Sequence, residues 1–221
     1  LEHYEDYLSE LEKEYKQSQK VLWATAEKIS QIRKKVAIQL AKEIKEALSD
    51  LNFLDVQFEI AFQELPEPGE NGRDEICFMI STNPGLPMRP LGDVASGGEL
   101  SRIMLAIKAV MADKDAVETL IFDEIDTGIS WRTAQKVSEK MAVIARNHQI
   151  LCITHLAQIA SMADQHYIIE KKPANSKTVT KLARLSEEES VEELARILGG
   201  AKITETVLDG AREMKELARH I

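Results

Sequence analysis

The chain has 221 residues, 44% hydrophobic and 29% charged, with 28 Lys and Arg against 37 Asp and Glu and a formal net charge of −9. That length holds one ordinary domain with an appendage or two small ones, and a core large enough to stand without disulfides or structural metal. The acidic balance excludes a nucleic-acid coat working by bulk charge; no apolar stretch is long enough to span a bilayer and Leu1–Tyr4 does not read as a signal peptide, so membrane and secreted classes are set aside.

Residues 1–51 come first. Apolar side chains at Tyr4, Leu8, Leu11, Tyr15, Leu22, Ala26, Ile29, Val36, Leu40, Ile44, Ala47 and Leu51 recur mostly at intervals of four and three, with no Gly or Pro among them. The pattern predicts one long amphipathic helix with a narrow, coiled-coil-like seam. At 1.5 Å per residue it would reach roughly 75 Å, longer than a domain of this size needs, which favours one strand of an antiparallel coiled coil over a helix packed only on its own domain. Its partner strand is expected upstream, since the chain opens in mid-helix, like a piece of something longer. Arg33, Lys34 and Lys35 make a candidate phosphate-binding spot.

From Phe53 the periodicity changes. Phe53–Phe62 alternates apolar and polar residues, as a half-buried strand does, and Glu75–Thr82 reads as a second strand antiparallel to it, across a loop at Pro66–Gly72. Leu100–Met111 is an apolar helix. Thr119–Phe122 is a short continuous apolar run, predicted as a strand buried on both faces. Thr133–Arg146 is helical, Gln149–Thr154 another buried strand, and Leu156–Met162 a short helix. Strands at His166–Ile169 and Thr178–Leu185 precede terminal helices at Glu187–Leu198 and Thr204–His220, separated by Gly199-Gly200. Buried strands alternating with helices predict an α/β domain with a largely parallel sheet, occupying residues 52–221. Cys77 and Cys152 sit in apolar runs and read as buried, reduced thiols of an intracellular protein.

Three segments carry chemistry as a set. Ser96-Gly97-Gly98-Glu99 stands just before the Leu100 helix, where small residues and free N–H groups at a helix start suit an anion. Asp123-Glu124 ends the Thr119–Phe122 strand, at the carboxyl edge where α/β folds bind ligands; there one carboxylate suits Mg²⁺ through water and its neighbour an attacking water. Thr154-His155 ends the next buried strand on that same edge. Each has an ordinary structural explanation alone, as a cap, a solvated strand end or a capping His.

Together, in this order and at spacings of about twenty-five and thirty residues, they resemble the second half of an ATP-binding-cassette ATPase: signature motif, Walker B, D-loop and switch His. The segments Phe122–Ser130 and Thr154–Ala160, with Gln165–Lys171 and Ile197–Ala201, are most similar to the bacterial DNA-repair branch of the SMC-like ATPases. The resemblance implies the C-terminal half of a P-loop ATPase head preceded by a returning coiled-coil helix. It implies that Ser96, Gly97, Gly98 and Glu99 meet the γ-phosphate of ATP held by a second head. Asp123 becomes the Mg²⁺ carboxylate, Glu124 the general base, Asp126 a D-loop residue across the dimer, and His155 the γ-phosphate sensor. Trp131 departs from the family pattern, which has Gly there.

A phosphate-binding loop of the form G-x-x-x-x-G-K-[ST] is absent from the 221 residues, and Gly199–Thr204 has the wrong order and reads as a helix end and the next cap. The implied partners are an upstream half carrying that loop, a second head and DNA, the implied cofactors ATP and Mg²⁺, and the chain alone is expected to be inactive. Lys171-Lys172 is a second candidate phosphate spot. Two rivals are a head segment of another SMC-family chromosome protein, and a non-catalytic docking module on a degenerate NTPase fold.

Overall fold

The computed structural model describes residues 2–53, 55–94, 96–114, 116–174, 177–200 and 202–220; Leu1, Ala95, Ala201 and the Lys172 side chain, each part of a sequence reading above, lie outside the described residues. The chain divides into two compact units, residues 1–49 with 53–94, and residues 50–52 with 95–221.

In the first unit, α1 (Glu2–Asp50) is one uninterrupted helix, as the lack of Gly and Pro requires. The predicted stripe is realised in two ways. Tyr4, Leu8, Leu11, Tyr15, Leu22 and Val36 are exposed, whereas Ala26, Ile44, Ala47 and Leu51 are buried, joined by Ser30, Ala37 and Leu48 from outside the predicted stripe. The second half of the helix packs as core, on the hairpin β1 (Gln57–Gly69) and β2 (Gly72–Ser81), to which β3 (Arg89–Pro90) adds two residues. The hairpin is antiparallel as expected, pairing Gln57 with Ser81 through Glu64 with Asp74. The loop expected at Pro66–Gly72 is instead mostly strand. The register shifts between Glu64 and Gly69, an irregularity that accommodates Pro66 and Pro68, and the reversal tightens to Glu70-Asn71 with Gly72 at φ +94°.

Polar contacts fix the helix to the hairpin tip. Arg73 Nη1 donates to Glu27 (2.7 Å), with its guanidinium 5.6 Å from the Trp23 ring centroid; Ser30 Oγ donates to Asp74 (2.7 Å), Arg33 Nη1 to the Asn71 carbonyl (2.7 Å) and Lys34 to Glu64 (3.2 Å). Arg33 and Lys34, read from sequence as a phosphate spot, are therefore engaged in holding this hairpin.

The second unit opens with α2 (Gly97–Met111) and continues through β4 (Thr119–Phe122), α3 (Trp131–Ala145), β5 (Gln149–Cys152) and α4 (Ala157–Ala160). Strands β4 and β5 pair in parallel, Thr119 opposite Gln149 through Phe122 opposite Cys152, as the strand–helix–strand order predicts. Burial on both faces does not hold. Leu120 and Phe122 are buried, but Ile121 is 69% exposed, and its cross-strand neighbour Leu151 and Ile153 on the same face are half exposed. One face of this pair is covered by helices and the other is not. Nor are the two cysteines fully buried; both are free thiols of intermediate exposure.

A separate antiparallel hairpin, β6 (Tyr167–Ala174) and β7 (Lys177–Arg184), leads into α5 (Glu187–Gly199) and α6 (Glu205–Ala218). Lys171, of the second phosphate spot, is exposed on β6. A capping box starts α5: Ser186 Oγ accepts from Glu189 N–H while the Glu189 carboxylate accepts from Ser186 N–H (2.7 Å), which holds the Glu189 carboxyl below its usual range. Gly200, at φ +65°, ends it, and its N–H donates to Arg196 O. Gly199-Gly200 is thus a helix terminus, as its sequence order indicates. Buried Lys215 on α6 donates to Ser190 Oγ (2.6 Å), which also contacts His166 Nδ1 (2.9 Å); burial and the Lys215 charge push the His166 pKa down. Beneath them Ala157, Ala160, Leu194, Ala195 and Ala211 form an apolar cluster.

Leu194 has no exposed surface in that cluster, so Leu194→Ala leaves a void that the surrounding alanines and partly buried aliphatic side chains fill only in part. The expected loss is about 2–5 kcal/mol, read as a lower urea midpoint at unchanged m-value; a midpoint within error of the unmodified chain would mean that α5 and α6 carry little of the unit's stability.

Candidate functional site

The three sequence-predicted segments all lie in the second unit, where the ends of β4 and β5 meet the start of α2. Ser96 caps α2 from an extended backbone, its Oγ accepting Glu99 N–H at 3.4 Å. The glycines that follow are dictated by close approach. A Cβ on Gly98 would stand 2.8 Å from the Glu124 carbonyl oxygen and 3.2 Å from both Arg102 Nη1 and Thr127 Cβ; one on Gly97 would stand 2.5 Å from Glu124 Oε2. The helix start and the carboxylate strand end are thus brought together, with the Glu124 side chain lying against the positive end of α2.

After β4 the chain turns sharply, Thr127 N–H donating to Glu124 O (3.0 Å). Glu124 itself has φ 56°, a left-handed conformation that costs a non-glycine residue on the order of 1–2 kcal/mol. Three groups stabilise this turn. Asp123 Oδ1 accepts Glu124 N–H (2.9 Å), Ser101 Oγ donates to the Asp123 carbonyl (2.8 Å), and Arg102 Nη1 donates to the carbonyls of Ile125 (3.1 Å) and Thr127 (3.0 Å). Arg102 is 7% exposed. Burial lowers its pKa, and the charges of Glu99 and Asp126 oppose that shift.

Asp123 and Glu124 are exposed, whereas Asp126 is buried. The Asp126 Oδ2 atom accepts from Thr154 Oγ1 (2.5 Å) and His155 N–H (2.8 Å), and lies 3.0 Å from His155 Nδ1. The His155 ring is otherwise exposed. Burial, with the Asp126 and Asp123 carboxylates adding to it, pushes the Cys152 thiol up to about 12, so this neighbouring sulfur stays protonated and unreactive. Trp131 opens α3 and is 64% exposed, with the Arg132 guanidinium 5.5 Å from its ring centroid.

Asp123 and Glu124 are the exposed carboxylates that follow β4, and no metal-holding group of three or more His, Cys, Asp or Glu occurs among the described residues. That fits Mg²⁺, which takes one or two carboxylates and fills its remaining positions with water and phosphate oxygens, and not a cation that needs a protein cage. Sequence reasoning assigned no role to Ser101, Arg102 or Thr154. Arg102 had left a signal: it shares the helical face of Gly98, Leu105 and Ala106, so a cation stands on a side otherwise destined for burial.

These contacts predict different outcomes for the two glycines. Gly98→Ala pushes Cβ into a backbone oxygen and should cost about 1–3 kcal/mol. Gly97→Ala meets only the end of the Glu124 side chain, which rotates away, and should cost under about 1 kcal/mol. Chemical denaturation of the two variants checks this; equal losses would show that the turn does not press on α2 as described.

Compared with known proteins, no protein-family model matches the chain. It is 41% identical to DNA repair protein RecN of Halalkalibacterium halodurans, across 99% of this chain and 40% of that protein. It is 38% identical to DNA repair protein RecN of Bacillus subtilis, across 100% of this chain and 41% of that protein. In fold it is similar to the Smc head domain with a coiled coil and joint derived from Pyrococcus yayanosii, at a TM-score of 0.51 and 22% identity, over 87% of this chain and 33% of that one. The chain, spanning about two fifths of the length of the curated relatives it matches, belongs to the RecN family.

Proposed function

We propose that this chain is the C-terminal head segment of an SMC-like ATPase that serves recombinational repair of DNA double-strand breaks. Residues 1–51 would be the returning coiled-coil helix and residues 52–221 the C-terminal lobe. The observation that carries the reading is the meeting of three motifs in one unit: the Ser96–Glu99 helix start, Asp123-Glu124 and Thr154-His155 lie at adjoining ends of α2, β4 and β5, with Glu124 Oε2 against Gly97. The RecN relatives support the DNA-repair role and the cytoplasmic, nucleoid-associated setting it implies.

Bound Mg–ATP would supply the γ-phosphoryl group and the cation that offsets its charge. Asp123 would hold the cation through water, as its exposed carboxylate permits, and Glu124 would accept a proton at a carboxylate oxygen from the attacking water. The strained backbone of Glu124 fixes where that carboxylate starts, which is the kind of preorganisation phosphoryl transfer relies on. His155 would sense the γ-phosphate. Ser96, Gly97, Gly98 and Glu99 would meet the nucleotide of a second head, with the Asp126 loop at that junction. The phosphate-binding loop would come from an upstream half of the protein, and the uncovered apolar face of β4 and β5, formed by Ile121, Leu151 and Ile153, supports such a missing layer. DNA is the remaining partner.

In the full-length protein, Glu124→Gln should still bind ATP but hydrolyse it about 10²–10⁴-fold more slowly, because only the proton acceptor is lost. Near-normal steady-state turnover would remove Glu124 from the mechanism. Ser96→Arg should leave nucleotide binding intact and abolish ATP-dependent dimers in light scattering, since a bulky cation at the helix start blocks closure of a second head. Dimers of that variant would reduce Ser96 to its role as a cap.

A further inference from the structure

A carboxylate has no proton to give. Asp126 nonetheless lies within hydrogen-bond distance of three atoms of the Thr154-His155 segment through a single oxygen: Thr154 Oγ1 at 2.5 Å, His155 N at 2.8 Å and His155 Nδ1 at 3.0 Å. Thr154 Oγ1 and His155 N–H donate to it, and Nδ1, 3.0 Å away, meets a carboxylate favourably only as N–H, which leaves Nε2 as the nitrogen turned from the carboxylate. The contrast in burial is informative. Asp126 is 4% exposed, while 73% of the His155 side chain is open to solvent. An exposed imidazole on a short segment between β5 and α4 would otherwise turn freely; here a buried acceptor takes its backbone N–H and stands 3.0 Å from its ring nitrogen.

The carboxylate is in turn held in place. Arg102 donates to the carbonyls on either side of it, Ile125 and Thr127, and the Glu99 and Asp126 charges offset part of the cost of burying the Arg102 guanidinium. A continuous path runs from the α2 helix through Arg102 and the turn to Asp126, and from there to His155.

We infer that Asp126 is the positioning residue of His155, fixing the ring's tautomer and direction from within its own chain so that Nε2 is the atom offered to a bound ligand. The role of His155 in hydrolysis rests on the ATPase reading above; its tautomer does not. An orienting carboxylate behind a histidine recurs wherever an imidazole must meet a reacting group in one protonation pattern, and its replacement by the isosteric amide lets the ring adopt the other tautomer.

Two measurements test this. Long-range ¹H–¹⁵N NMR of the imidazoles should find neutral His155 as the Nδ1–H tautomer in the unmodified protein, shifting toward Nε2–H in Asp126→Asn. Finding Nε2–H in the unmodified protein overturns the inference whether or not ATP is hydrolysed. In the full-length protein, Asp126→Asn should lower kcat about tenfold or more at a nearly constant KM, and should cost nothing further when added to His155→Ala. An undiminished second loss in the His155→Ala background would mean that Asp126 acts otherwise than through this ring. If the unmodified protein hydrolyses no ATP, the ATPase reading fails and the NMR result alone decides the inference.

Discussion

The guanidinium of Arg102 is the contact on which the site's geometry depends. A buried cation is costly unless its protons are used, and here Nη1 reaches two carbonyls of the turn after β4. Those bonds are possible only because α2 lies close, and α2 lies close only because Gly98 has no side chain to collide with Glu124 O. Glycine and arginine four residues apart thus act as one device: the first admits the turn and the second fastens it. Removing the cation would leave the buried Ile125 bond and the partly buried Thr127 bond without their donor, which makes the pair more consequential than either contact taken singly.

That fastening explains how Glu124 keeps a left-handed backbone. A glutamate gains nothing locally from φ 56°. The conformation persists because Asp123 takes its N–H, Thr127 takes its carbonyl, Ser101 anchors the preceding carbonyl and Arg102 the following ones. The result is a chain reversal that leaves Asp123 and Glu124 in solvent and turns Asp126 inward, so that three acidic residues within four positions have different surroundings. Alternation along a strand would not separate them in this way; the turn does.

Much of this was legible in the sequence. The helix of residues 2–50 follows from its unbroken periodicity, and β4 from three apolar residues after Thr119, closed by charge. The placing of Asp123-Glu124 and Thr154-His155 on one edge follows from parallel pairing, whereas the approach of Ser96–Glu99 to them depends on Gly98. What was not legible has physical causes. Pro66 and Pro68 read as loop because proline ends a regular ladder, yet a shifted register lets the hairpin run past them. The run Thr119–Phe122 read as buried on both sides because an apolar sequence records what a strand is built to meet, and it does not say which covering layer belongs to the same 221 residues. The inward turn of Asp126 left no signal because its partners, Thr154 and His155, are distant in sequence.

The same reasoning connects the uncovered face to the site. Each of Ile121, Leu151 and Ile153 would gain up to about 1.5–3 kcal/mol from full burial, less in proportion to the area already covered. Ile121 lies two residues before Asp123, and Ile153 directly before Thr154. A layer placed on that face would therefore bear on the strand ends that carry Asp123, Glu124 and His155, with no residue of the layer needing to touch them. Ile153 N–H already donates to Phe122 O at 3.0 Å, continuing the ladder to the last residue before each functional turn. A layer covering the face would thus act on both turns through the one pair of strands that carries them.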